Sequence, residues 1–371
     1  MTAPHVLIVS HTYTAPINRA KLDALAQHVT LTAIVPTRWQ DVLFAVDASA
    51  DAPTAYTLHA LPIRFRGHVL RYIYPFTALR RIIAQTQPDL IYVEEEPPSL
   101  ALAQLALLKR RAKFICFTWE NISRRVGLPG VERYNLARCD GAIAGTAEAA
   151  QVLRAKGFAK PIAVTPQLGV DPEFFQPRPL LELRQSLGLT GFGIGYIGRL
   201  ADEKGIWTLL SAVNDLDAQL LIVGSGSARA AMERWIDAHA LTKRARIVDS
   251  VPHEDIARYL NALDVLVLPS QTTRTWKEQF GHVLIEAMAC GVPVIGSNSG
   301  AIPEVIADAG IIFPEGDVAA LRDAIAGLQT NPTRRAHLAR AGRARVLANY
   351  THARIAAANA RFFDQVLARC K

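Results

Sequence analysis

Short apolar runs separated by amphipathic stretches recur along the whole chain. In the first half they are VLIVS (6–10), VTLTAIV (29–35), LIYVE (90–94), FICFT (114–118), GAIAG (141–145) and PIAVT (161–165). In the second half they are GIGYIG (193–198), QLLIVG (219–224), ARIVDS (245–250), VLVLP (265–269), VPVIGS (292–297) and GIIFP (310–314). Runs this short and this rich in β-branched residues read as strands covered on both faces. Helical segments fill the intervals, so the pattern predicts two doubly wound α/β domains, each on a parallel sheet. The break falls in PQLGVDPEFFQPRP (166–179), which is rich in Pro and lacks a period. It separates an N-terminal domain over 1–168 from a C-terminal domain over 169–349. The Ala- and Arg-rich segment 350–371 reads as a helix, and spacing leaves open whether it packs on the second domain or crosses back to the first. No internal repeat is visible.

One helix carries an anomaly. In KEQFGHVLIEAMACGVPVIGS (277–297) the period predicts a helix from about Gly281 to Cys290, closed by Gly291 in a left-handed cap. Val283, Leu284, Ile285, Ala287, Met288 and Ala289 cover most of its circumference, yet Glu286 lies among them. A buried carboxylate needs a partner. Gly281 opens the helix, so the first amides can cradle a phosphate, with Glu278 at the mouth. At ~1.5 Å per residue Glu286 lies roughly 7–8 Å further along, right for a carboxylate that accepts two ribose hydroxyls. A buried Glu–Arg pair is the competing reading.

In parallel α/β sheets ligands bind beyond the carboxyl ends of the strands. After GIGYIG come Arg199 and, just before the next helix, Lys204. A cation at a helix N-terminus has the wrong sign for the dipole unless an anion binds there. Alternatively Asp202 and Glu203 neutralise both cations in a solvated turn. Gly224 and Gly226 follow another strand, but Arg229 stands where a dinucleotide fingerprint needs its third glycine. They read as a tight turn that lets backbone approach a ligand. DLD (215–217) precedes its strand and reads as a solvated turn rather than a metal site. EEE (94–96) is either a crevice edge or an exposed loop.

Composition narrows the class. A chain of 371 residues, half hydrophobic and one fifth charged, suits two soluble domains. No apolar run approaches the length that spans a bilayer, and the start lacks the basic segment of a secretory signal, so none is expected. Cys116, Cys139, Cys290 and Cys370 are scattered, as suits reduced thiols in a cytosolic protein. Residues 1–168 hold 19 Lys and Arg against 12 Asp and Glu, so nearly all of the net charge of +8 lies there. Residues 62–83, PIRFRGHVLRYIYPFTALRRII, contain five arginines and no acid. Basic residues interleaved with aromatics suit an anionic membrane surface. No nucleic-acid recognition motif is present, and no nucleic-acid partner is expected.

GRLADEKG, the G-S-G turn after LLIV, VPHEDIARYLNALDVLVLPS and EQFGHVLIEAMACGVPVIGSNSGAIPEVI together resemble the family 4 glycosyltransferases, as does GVDPEFFQP at the entry to the second domain. The resemblance implies the GT-B fold, two Rossmann-like domains facing across a cleft, and retaining, metal-independent transfer from a nucleotide-diphosphate sugar, with no further cofactor. It implies that Arg199 and Lys204 bind the donor diphosphate and stabilise the leaving group, and that Glu278 contacts the sugar. Gly198, Gly224 and Gly226, the segment Phe280, Gly281, His282, Val283 and Leu284, and Val251 beside the base would surround the donor, with Glu286 on the ribose. The first domain departs from the family. It has HTYTAPINRAK in place of a glycine-rich loop, and TWENISRR where a histidine is usual. His11 and Glu120, each following a strand end, are the candidates there, as substrate contacts or as ordinary loop residues. The expected partners are a nucleotide sugar and a glycan or lipid-linked acceptor. The expected location is cytoplasmic, with a peripheral position at the inner membrane face left open. A sugar-nucleotide-binding protein without turnover and a nucleotide-sugar epimerase are the competing functions.

Overall fold

The computed structural model describes residues 3–40, 45–48, 55–123 and 126–368. The chain forms two compact units, one running to Gly169 and resuming at His352, the other Val170–Thr351. The first contains β1 (His5–Val9), β2 (Thr30–Pro36), β3 (Arg38–Gln40), β4 (Ala45–Asp47), β5 (Thr57–Leu61), β6 (Leu90–Val93), β7 (Lys113–Thr118), β8 (Gly141–Ala144) and β9 (Ile162–Val164). The second contains β10 (Gly193–Ile197), β11 (Gln219–Val223), β12 (Ala245–Val248), β13 (Val265–Leu268), β14 (Val294–Ser297) and β15 (Ile311–Phe313).

Seven strands of the first unit form a parallel sheet in the order β5-β2-β1-β6-β7-β8-β9. The second unit's sheet, β12-β11-β10-β13-β14-β15, is also parallel throughout. In each, the strand order reverses beside the first strand, between β1 and β6 and between β10 and β13. Such a reversal opens a crevice at the carboxyl ends of the strands. The central runs are fully buried, Val6–Val9 and Leu90–Val93 all at 0 % exposure. This agrees with strands covered by helices on both faces.

Two features differ from the sequence reading. β5 (TLHAL) is an edge strand whose residues are all partly or fully exposed, so it lacks the apolar run that marks its neighbours. β3 and β4, three residues each, pair antiparallel outside the main sheet and are too short to show a period.

The helix His352–Ala368 packs against the helix Ala20–Ala26 of the first unit. It contributes Ala356, Ala360, Phe362, Phe363 and Val366 to the cluster that also holds Val6, Ile8, Leu22 and Leu25. The contact is close enough that a Cβ on Gly141 would stand 3.0 Å from the Phe362 ring and 3.1 Å from Val366. Val170 donates its amide to the Tyr350 carbonyl (2.9 Å), so the chain enters and leaves the second unit at adjoining points. Cys116, Cys139 and Cys290 are buried free thiols, while Cys370 lies outside the described residues. Among the described residues no helix is long and apolar enough to cross a membrane.

Candidate active site

The turns after β10, β11 and β13 meet at the switch point of the second unit. A Cβ on Gly224 would lie 1.9 Å from the Gly198 carbonyl oxygen, and one on Gly226 would lie 2.1 Å from that of Leu200. Only glycine permits this approach. Leu200 N–H donates to the Ser225 carbonyl (2.9 Å) and Gly198 N–H to that of Val223 (3.0 Å). The G-S-G turn is therefore a strut under the loop that presents Arg199. Tyr196 adds a second support, its hydroxyl donating to the Arg199 carbonyl at 2.7 Å.

Arg199 is half-exposed and pairs with Glu203 at 2.6 Å. Lys204 does not follow it. Its Nζ reaches Glu278 Oε2 at 2.7 Å and stands 4.5 Å from the centre of the Trp276 ring. Glu203 thus neutralises Arg199 within the turn, whereas the carboxylate facing Lys204 comes from a different loop. Ser270 Oγ donates to the same Glu278 oxygen at 2.7 Å. Glu278 is 7 % exposed, so two nearly buried charges hold each other. Trp276 is a neighbour that spacing did not single out.

The helix spans His282–Ala289, entered through Gly281 at φ 79° and followed by Gly291 at φ 70°. His282 occupies its first position, and burial pushes the imidazole down to about 4. It is neutral at pH 7 and meets the Phe280 ring at 4.9 Å. Val283 is partly exposed, but Leu284 is fully buried and its amide donates to the Gly281 carbonyl (2.9 Å). Leu284 thereby packs beneath the turn. Val251 follows β12 in a partly exposed position, and its neighbour Ser250 bonds through its hydroxyl to Ser225 at 3.0 Å.

Among the described residues Glu286 has no arginine partner, unlike the pair considered from the sequence. His253 Nε2 lies 4.0 Å from its carboxylate, and its side chain is 12 % exposed. Burial pushes this carboxyl up to about 7. The folded chain then keeps the proton up to that pH, whereas the unfolded chain releases it near 4.5. Native stability therefore falls as pH rises through this window, by roughly 3 kcal/mol at 1.36 kcal/mol per pH unit. Neutral His282 acts in the opposite sense, since stability is lost as pH falls from 6.5 towards 4. The variant difference separates the two. Glu286→Gln should match wild type in denaturant melts near pH 4.5 and exceed it at pH 8. Equal stability at pH 8 would refute this account of Glu286.

In the first unit His11 lies just beyond β1 and three glutamates follow β6, with Glu94 and Glu95 buried and Glu96 partly so. His11 Nδ1 and main-chain N–H both bond Glu95 Oε1, at 2.7 and 3.1 Å, and the Tyr72 hydroxyl donates to that oxygen at 2.5 Å. The imidazole packs on Trp39 with ring centres 4.4 Å apart. Glu94 is bound by Lys21, Tyr13 and Gln167. Glu96 accepts from the Thr118 hydroxyl (2.6 Å) and the Trp119 amide (2.7 Å), and burial pushes it up to about 7. The exposed-loop alternative for 94–96 is thereby corrected: these carboxylates line the carboxyl ends of the central strands. Glu120 is paired with Lys156, which also meets Glu132. Asp215 of the DLD segment pairs with Arg322 at 3.3 Å. Among the described residues no cluster of three His, Cys, Asp or Glu side chains is gathered for a metal.

Two doubly wound units, each on a parallel sheet, are the architecture of the GT-B fold. The family model described as "Glycosyl transferases group 1" matches residues 182–345, and that described as "Glycosyltransferase Family 4" matches 22–174. The chain belongs to this family of glycosyltransferases. Among curated relatives, a GDP-mannose-dependent monoacylated alpha-(1-6)-phosphatidylinositol monomannoside mannosyltransferase of Corynebacterium glutamicum is 34% identical over 49% of this chain and 51% of its own length. A D-inositol 3-phosphate glycosyltransferase of Stackebrandtia nassauensis is 33% identical over 60% and 52%. The chain thus spans about half the length of these relatives. Sucrose-phosphate synthase from Thermosynechococcus elongatus superposes with TM-score 0.75 at 22% identity, over 99% of this chain and all of that one. Anabaena HepE in complex with UDP superposes with TM-score 0.75 at 17% identity, over 98% and 100%. These likenesses show the fold.

Proposed function

We propose that the protein transfers a sugar from a nucleoside-diphosphate sugar to a glycan or lipid-linked acceptor, with retention at the anomeric carbon and without a metal ion. The observation that carries this reading is the Lys204–Glu278 contact at 2.7 Å, in the second unit's crevice and beside a helix N-terminus. Lys204 and Arg199 neutralise the diphosphate, and Glu278 receives hydroxyls of the sugar. The amides of the first helical turn face the phosphate, and Glu286 takes the ribose hydroxyls. The bond from C1 to the phosphate oxygen breaks as the acceptor oxygen bonds C1, and the acceptor proton passes to the departing phosphate on the same face. No protein nucleophile is required. His11, fixed by Glu95, is the acceptor-side contact we favour; Glu120, committed to Lys156, is the weaker one. The mannosyltransferase relative is named for a GDP-mannose donor and a lipid-linked acceptor, and HepE was solved with UDP, so both nucleotides merit test.

The test is turnover of UDP-glucose and GDP-mannose, read as nucleoside diphosphate release and as the anomer first formed in proton NMR. The α-anomer should appear, and EDTA should leave the initial rate nearly unchanged. Loss with EDTA restored by magnesium or manganese would overturn the metal-free route, and an initial β-anomer would overturn retention. Tight binding of both donors with no release, even with candidate acceptors, favours a binding protein without turnover.

A further inference from the structure

Residues 62–76 leave the edge strand β5 and return to the helix Phe76–Thr86 as a pinned excursion. Its base is anchored by Arg64 N–H to the Ile73 carbonyl (3.0 Å) and the return bond (3.3 Å). The Gln104 amide group bonds both the N–H and the C=O of Tyr74 at 2.9 Å. Ile63, Tyr72 and Tyr74 are buried in the core below. Above that base the side chains point outward. Phe65 is 60% exposed, Phe76 46% and Val69 38%. Arg64, Arg66, Arg71, Arg80 and Arg81 are exposed among them, and none has an ion-pair partner among the described residues. An apolar groove of about 450 Å³ runs between Pro62, Ile63, Ile73, Pro75 and Phe76, with Arg64 at its side.

Phe65 adds a separate sign. Its φ of 61° lies in the left-handed region, costly for a bulky side chain. Glycine would relieve that strain, and Gly67 two residues on has φ 78°. A strained aromatic with most of its surface in solvent serves the folded chain poorly. Unpaired guanidiniums around protruding apolar side chains match a surface with anionic phosphates outside and hydrocarbon beneath.

We propose that residues 62–81 dock the first unit on an anionic phospholipid bilayer, the arginines on headgroup phosphates and Phe65, Val69 and Phe76 inserted between them. No residue of the second unit takes part, so docking is independent of the donor chemistry. The test is co-sedimentation of the full chain with vesicles of phosphatidylcholine alone or mixed equally with phosphatidylglycerol. Binding to the mixed vesicles should exceed that to the neutral ones by on the order of tenfold at low salt. It should fall steeply as the Debye length contracts from about 10 Å at 0.1 M to about 3 Å at 1 M salt. The charge-reversed Arg64→Glu, Arg66→Glu, Arg71→Glu triple variant should lose binding. Phe65→Gly should melt no lower than wild type and yet bind several-fold more weakly, a combination that a structural role for Phe65 does not produce. Equal binding to both vesicle types, or none to either, would overturn the proposal. So would a wild-type dimer that the same variants dissociate, or retention on polynucleotide in place of vesicles.

Discussion

Glu278→Gln is expected to reduce sugar transfer on the order of a hundredfold or more while leaving nucleoside diphosphate affinity equal to or tighter than wild type. The carboxylate has two tasks that the substitution separates. Toward the sugar it is an anionic acceptor, and a charge-assisted hydrogen bond is worth about 1.5–3 kcal/mol, or roughly one to two decades for each hydroxyl it orients. Toward the protein it holds Lys204, with both side chains nearly buried. Glutamine keeps the shape and can still accept from Ser270, but it releases the ammonium to a diphosphate. Breaking a buried pair from one side costs about 3–5 kcal/mol, so the empty variant should melt well below wild type. Ligand linkage should recover much of that loss once diphosphate is added. Single-turnover rates, diphosphate titration and melts with and without ligand check the three parts. A variant that transfers at the wild-type rate would remove Glu278 from the sugar site.

Lys204→Ala should weaken nucleoside diphosphate binding about ten- to hundredfold, the equivalent of one lost charge-assisted contact. Arg199→Ala should cost less, because Arg199 is half-exposed and already committed to Glu203 within the same turn. The two losses differ in kind. Lys204 is held between a carboxylate and an indole face, so little ordering remains to be done when a phosphate arrives. Combining Lys204→Ala with Glu278→Gln should cost clearly less stability than the two single losses together, since each single variant strands the other's charge and the double variant strands none. Isothermal titration with UDP and GDP, beside denaturant melts of all four proteins, gives the coupling directly. Wild-type affinity in both single-cation variants would reduce the turn to a solvated one.

Much of the fold was legible because central parallel strands announce themselves as apolar runs. VLIV, LIYV and VLVL are buried on both faces and need no partner residue to be recognised. β5 escaped because an edge strand keeps residues such as Thr57 and Ala60 in solvent, and β3 and β4 because three residues carry no period. The helix at Gly281 was readable from its flanking glycines, both of which adopt the left-handed conformation that such boundaries require. The site was legible by residue type more than by connection. A lysine out of keeping with its helix dipole marked Lys204, but nothing local could link it to a glutamate 74 residues away. Glu286 was marked by its apolar surroundings, though the remedy proved to be a raised proton affinity rather than an arginine. Three consecutive glutamates suited a crevice edge and an exposed loop equally. Their burial depends on Lys21, Tyr13, Tyr72 and Thr118, which arrive from four other segments.

The bond between Val170 and Tyr350 makes the second unit an insert with adjoining ends, placed between the body of the first unit and its last helix. Synthesis then reverses the usual order in which the N-terminal part of a chain matures first. When residue 351 has emerged, the second unit possesses every strand of its sheet, while the first still exposes the face that Ala356, Phe362, Phe363 and Val366 will cover. Of the two units, the one whose strands are translated first is thus the last to acquire a closed interior, and until then the face of Val6, Ile8, Leu22 and Leu25 lacks the cover of the last helix.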